Sequence, residues 1–199
     1  MKKSYVKYIL EVLFFAVLVA IDLLTKQIVF DLLEDKYSYV VLDKIFSLQL
    51  ARNTGASFSI LPGQITFLTI MPMIAIAGIA ALLIVRPNTP TNLRIGAIMI
   101  AAGALGNLVD RMAFGYVRDF IDYVFLDTFF GIDFAIGNVA DLFLLMGVIM
   151  LIVYIIFEFE DKDFYSKKKL ARIAQEQAQL LQDSEPQEEK VEESAKDGE

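Results

Sequence analysis

The chain has 199 residues, 56% of them hydrophobic, and contains no cysteine, histidine or tryptophan. Without Cys there is no disulfide framework or thiol nucleophile. Without His, a Ser-His-Asp or Cys-His apparatus is excluded, and a zinc site would need carboxylates alone. The formal net charge of −7 is a tail feature, since residues 183–199 hold eight acids against Lys190 and Lys196; it argues for no partner by itself.

Lys2, Lys3 and Lys7 precede the first apolar run, Tyr8 to Leu24. A secretory signal begins the same way, but its cleavage needs small residues at −1 and −3. Ala20 has Leu18 at −3 and Ala16 has Phe14, so the spacing predicts a retained helix. Ile45 to Arg52 alternates, with Phe46, Leu48 and Leu50 on one side and Ser47 and Gln49 on the other. This period-2 pattern predicts a strand on the outer membrane surface. Ile65 to Val85 is 21 residues without a charge, enough to cross the hydrocarbon core at ~1.5 Å per residue. Its Pro72 is tolerable where neighbours satisfy the freed carbonyl.

A third run, Ile95 to Val109, is rich in small residues (Ala101, Ala102, Gly103, Ala104, Gly106), which let helix backbones approach closely at the centre of a bundle. The fourth, Val139 to Phe157, carries Asp141 near its start. Beyond it, Leu170, Ile173, Ala174, Gln177 and Leu181 give a weakly amphipathic helix after a lysine triplet, and past Asp183 the composition predicts disorder. The fold class expected is an all-α membrane protein: a four-transmembrane-helix bundle with a small extracytoplasmic β element. Lys and Arg concentrate before helix one, between helices two and three, and after helix four, which predicts cytoplasmic termini.

Polar residues at membrane depth are costly, so each is a functional candidate. Here they collect at one level: Asp22 near the end of the first run, Asn107 and Asp110 at the end of the third, Asn138 and Asp141 at the start of the fourth. Asp22 and Lys26 share a helix face at i,i+4. For Asp22, Lys26 and Asp110 a structural role is expected, tying helix ends together. Two carboxylates held out of bulk water cannot both ionise easily; the pair shares a proton, supplying a base for water and an acid for a carbonyl. Asp141 is one member. Spacing leaves Asp110, Asp119 and Asp122 open as its partner.

The segments Asp22-Leu-Leu-Thr-Lys26, Asn53-Thr-Gly-Ala-Ser-Phe58, Gly103 to Arg111 (GALGNLVDR), Val117-Arg-Asp-Phe120 and Asn138-Val-Ala-Asp141 resemble, in order, the motifs of lipoprotein signal peptidase (signal peptidase II). The resemblance covers roughly Tyr8 to Phe157. It implies an integral-membrane aspartic endopeptidase that cleaves prolipoproteins just before a diacylglyceryl-modified cysteine. By motif, the catalytic pair falls on Asp119 and Asp141; Asn53, Asn107, Arg111 and Asn138 match substrate-binding positions. Asp110 is set aside, with Arg111 expected to neutralise it.

Departures from the family pattern are Gly137 where Phe is usual, Leu142 where Ser or Thr is common, Arg118 where a small or β-branched residue is common, and a longer stretch between Asp119 and Asp141. The implied organisation is a peptidase domain over 1–160, a cytoplasmic basic segment over 161–182 and an acidic tail over 183–199. The implied setting is the bacterial cell membrane, with the site at the extracytoplasmic face. Expected partners are diacylglyceryl-modified prolipoproteins and membrane phospholipids, with no nucleic acid, no cofactor and no metal; a monomer suffices. The alternative is a proton-coupled carrier, which would place polar groups near the bilayer midplane.

Overall fold

The computed structural model of the chain describes residues 2–34, 36, 38–55 and 64–184. The last three residues of the Asn53-to-Phe58 motif and most of the acidic tail therefore lie outside the described residues. Helix α1 (Lys2–Leu33) leads into strands β1 (Ser38–Leu42) and β2 (Phe46–Asn53). Helices α2 (Ile65–Val85) and α3 (Thr91–Phe114) follow, then strand β3 (Val117–Asp122), the short helix α4 (Val124–Phe130) and helix α5 (Val139–Ser184). Among the described residues, four helices are long and apolar enough to span a bilayer. The chain divides into two compact units, residues 1–154 and 155–199. In the second, residues 170–180 are helical and exposed.

Within the first unit α3 is the central helix: 56% of its span is buried, against 11% or less for the other three. Its small residues are the reason. A Cβ on Gly147 of α5 would lie 2.6 Å from the carbonyl oxygen of Gly96, and one on Gly96 3.1 Å from that of Gly147, so the two backbones touch. At Gly103 a Cβ would run into the carbonyl oxygen of Ala140. Between these points Met99 and Ala102 pack with Leu18 of α1, bordered by Phe143 and Met150 of α5. At the far end of the bundle Arg94 of α3 is buried and doubly hydrogen-bonded to Glu11 of α1, at 2.6 Å from both Nε and Nη2. It also donates to the carbonyl of Leu83 in α2, so one guanidinium joins three helices.

The expected strand is β2, shifted by one residue, and it is the middle of a three-stranded antiparallel sheet in the order β1-β2-β3. α1 is longer than the first apolar run, so Asp22 lies inside the helix rather than at its end. Gly115, in the left-handed region at φ 78°, stops α3 and donates to the Arg111 carbonyl. That conformation suits glycine, and it turns the chain directly into β3, which is buried along nearly its whole length.

Candidate active site

β3 carries Asp119, and α5 carries Asp141 three residues past its first turn's cap. Asn138 precedes α5 as N-cap: its Oδ1 accepts from the Asp141 backbone N–H at 3.1 Å, while Asp141 Oδ2 accepts from the Asn138 N–H at 3.0 Å. This reciprocal arrangement is a capping box, which satisfies two otherwise orphaned donors and pins the carboxylate's orientation. The next free N–H of the turn, that of Ala140, goes to Asp22 Oδ1 at 2.9 Å. The remaining Asp141 oxygen accepts from Asn107 Nδ2 at 2.9 Å.

Asn138 is fully buried and faces both aspartates. Its amide donates to Asp119 Oδ1 at 2.6 Å and to Asn107 Oδ1 at 3.1 Å. Asp119 Oδ2 accepts from Asn53 Nδ2 at 2.9 Å. Asn53 reaches it from the neighbouring strand because Asp119 pairs with Ala51, which leaves Asn53 diagonal on the same face. Gly137 ties the two halves: its carbonyl accepts from the Phe120 and Ile121 N–H groups, and its own N–H donates to the Ile121 carbonyl. Three backbone hydrogen bonds thus join the strand to the helix cap.

Burial, and then the charge of Asp141, raise the Asp119 carboxyl from 3.8 to about 7, against the opposing hydrogen bonds from Asn53 and Asn138. Only 2% of the residue's surface is exposed, so desolvation dominates.

Beneath the pair lies a neutralised cluster. Lys26 is fully buried and spends its ammonium on Asp22 and Asn107, each at 2.8 Å, and on Asp110 at 3.4 Å. Asp110 is held on its other side by Arg118, through the backbone N–H at 2.9 Å and through Nε and Nη2 at 3.1 and 2.9 Å. This corrects the expectation that Arg111 neutralises Asp110. Adjacent helical residues point about 100° apart and do not face each other. Arg111 turns instead to the Gly55 carbonyl at 3.0 Å, anchoring the chain just after β2.

A cavity of about 600 Å³ opens beside the aspartates, walled by Leu68, Met71 and Ala75 of α2 and by residues of α3 and α5. Asp119, Asp141, Asn53, Asn107 and Arg111 all line it. Of the three aspartates open as partners of Asp141, Asp119 shares this wall. Asp110 lies behind it with two cations, and Asp122 faces the opposite way, accepting from Ser47 Oγ at 2.6 Å. Asn138, expected to bind substrate, is not on the cavity wall: its side chain is buried behind the pair and committed to Asp119 and Asn107.

Two residues were missed by sequence reasoning. Arg118, noted as a departure, supplies half the counter-charge of Asp110. Tyr123, on the cavity wall, was unremarked, although the strand period from Val117 through Asp119 and Ile121 places it on the aspartate's side.

Four apolar spans with carboxylates facing a mainly apolar cavity at one end define a polytopic membrane protein with the parts of an acid–base site. Residues 14–157 match the family model described as signal peptidase (SPase) II. A lipoprotein signal peptidase of Clostridium tetani is 33% identical over 159 residues, 79% of this chain and 100% of that protein. One of Staphylococcus haemolyticus is 32% identical over 163 residues, covering 82% and 100%. A solved bacterial membrane enzyme at 32% identity superposes with a TM-score of 0.70 over 76% of this chain and 90% of that one. The chain belongs to the signal peptidase II family and is therefore a peptidase.

Proposed function

We propose that the chain is an aspartic endopeptidase that removes the signal peptide of prolipoproteins just before a diacylglyceryl-modified cysteine, at the extracytoplasmic face of the bacterial membrane. The observation that carries this reading is that Asp119 and Asp141 line one cavity, bridged by Asn138, with Asp119 raised to about 7. A carboxyl at that value is partly protonated at neutral pH, as the shared-proton mechanism requires.

In this mechanism Asp119 starts protonated and Asp141 ionised. Water attacks the scissile carbonyl carbon and gives one proton to Asp141, while Asp119 donates its proton to the carbonyl oxygen, forming a gem-diol. On collapse the C–N bond breaks, the leaving nitrogen takes the proton from Asp141, and Asp119 recovers one from a diol hydroxyl. The products are a carboxylic acid and a free amine, and the pair ends as it began. Asn53 and Asn138 hold Asp119, and Asn107 and the Asn138 N–H hold Asp141, so neither carboxylate must reorganise during the step. Asn53, Asn107 and Arg111 bind substrate from the cavity wall.

The apolar wall suits a hydrophobic signal segment and acyl chains. A proton carrier would instead need polar groups near the midplane, whereas Asp110 lies in the last turns of α3 and Asn138 and Asp141 at the start of α5. The test is cleavage of a diacylglyceryl-modified precursor by the detergent-solubilised protein. Release of the signal peptide with the modified cysteine at the new N-terminus supports the reading. No cleavage by folded protein, or equal cleavage of an unlipidated precursor, contradicts it.

A further inference from the structure

Apart from Tyr123, each donor side chain on the cavity wall already makes a hydrogen bond within the protein. The Asn53 and Asn107 amides go to Asp119 and Asp141, and Arg111 Nη2 goes to the Gly55 carbonyl. Tyr123 differs: its hydroxyl makes no hydrogen bond among the described residues, yet the residue lines the same cavity. Its ring is fixed by an edge-to-face contact with Phe134, with centroids 5.5 Å apart at 89°.

Gly137 gives that hydroxyl its place. A Cβ built on Gly137 would lie 3.2 Å from Asp141 Oδ2 and 3.7 Å from the Tyr123 hydroxyl oxygen. The two oxygens therefore border one small space, and any side chain at 137 would begin to fill it. Tyr123 follows Asp119 at strand parity, and the Gly137 backbone is bound to β3, so the position is held rather than incidental. Burial and the charges of Asp141 and Asp119 raise the phenol above its usual 10. It stays a donor wherever the carboxylates work.

From this geometry we infer that Tyr123 is a further catalytic residue of the peptidase site: its hydroxyl donates a hydrogen bond to the carbonyl oxygen under attack, in the space that Gly137 leaves beside Asp141. This rests on the aspartic peptidase reading above. The phenol keeps its proton throughout, so the proton inventory of the hydrolysis is unchanged. The hydrogen bond strengthens as negative charge builds on that oxygen, and it acts on the transition state more than on bound substrate.

The test compares Tyr123→Phe, Gly137→Ala and the double variant with wild type and Asp119→Asn, on a lipidated precursor in detergent. Phe keeps the contact with Phe134 and removes the donor alone. Tyr123→Phe is expected to lower kcat roughly 100-fold with KM within about twofold. Gly137→Ala is expected to lower activity too, and the double variant to lose less than the product of the two losses, because both act on one space. Wild-type kcat in Tyr123→Phe, or a loss entirely in KM, overturns the assignment of Tyr123 while a dead Asp119→Asn leaves the aspartic reading standing. A wild type that cleaves no precursor, or an active Asp119→Asn, overturns both.

Discussion

Replacing Asp119 by Asn should change stability with opposite signs at low and high pH. The folded state holds Asp119 protonated up to about 7, whereas the unfolded chain releases that proton near 3.8. Between those values the native state binds more protons, so the carboxyl's contribution to stability falls as pH rises from about 4 to about 7 and is level beyond. The whole fall is on the order of 4 kcal/mol at about 1.4 kcal/mol per pH unit. Asn cannot ionise and escapes it. Against that, both Asp119 oxygens accept from asparagine amides, so the new NH₂ must face one of these donors, at a cost of about 1–3 kcal/mol. The variant should therefore be less stable than wild type near pH 4 and more stable near pH 8, by roughly 1–3 kcal/mol in each case. At about 2–4 °C per kcal/mol for a chain of this size, the difference in Tm is measurable by far-UV circular dichroism in one detergent at both pH values. A difference in Tm with the same sign and size at both would refute the reasoning.

Three further outcomes follow from the same contacts. The rate should fall as pH rises through about 7, where Asp119 loses the proton it must donate; Asn53→Ala removes a hydrogen bond that favours the ionised form, so its alkaline limb should move to higher pH in a kcat profile, and a limb moving lower would contradict this. Asp110→Asn leaves Lys26 and Arg118 short of an anion at a buried site, so it should lose about 3–5 kcal/mol of stability yet retain measurable turnover, checked by melting and by cleavage of the lipidated precursor. A topology reporter inserted after Thr89 should behave as cytoplasmic and one near Asp127 as external; the reverse would place the aspartates on the wrong side of the membrane.

The four spans were legible because each rests on a long apolar run, even though only Ile65–Val85 reaches the roughly 20 residues a bilayer needs, and the central place of α3 because its glycines and alanines advertise close approach. The convergence of Asp22, Asn107, Asp110, Asn138 and Asp141 on one level was legible as well, since helix ends in a bundle alternate sides. What the sequence hid lies mostly in the sheet. VRDFID holds three charges in six residues and does not look buried; it is, because β2, α1 and α3 pack over it and because Arg118 and Asp119 find partners there. The Asp110–Arg118 pair was invisible for the same reason, since it depends on Gly115 folding β3 back along α3. Strand β1 escaped notice because Ser38–Leu42 has little alternation, and all five residues are exposed. Asn138 was legible as a polar residue beside Asp141 but not as a cap, although Asn-x-x-Asp at a helix start has the form of a capping box.

The measurement that bears most directly on the central claim is turnover per folded molecule on a lipidated precursor, for Asp119→Asn, Asp141→Asn, their double variant and Asp110→Asn side by side. Each single change in the pair should abolish cleavage while insertion and folding persist, and the double should be little worse than either, because parts of one catalytic unit are not additive. Asp110→Asn should still cleave. Full activity in Asp119→Asn with none in Asp110→Asn would contradict the pairing and make Asp110 the partner of Asp141.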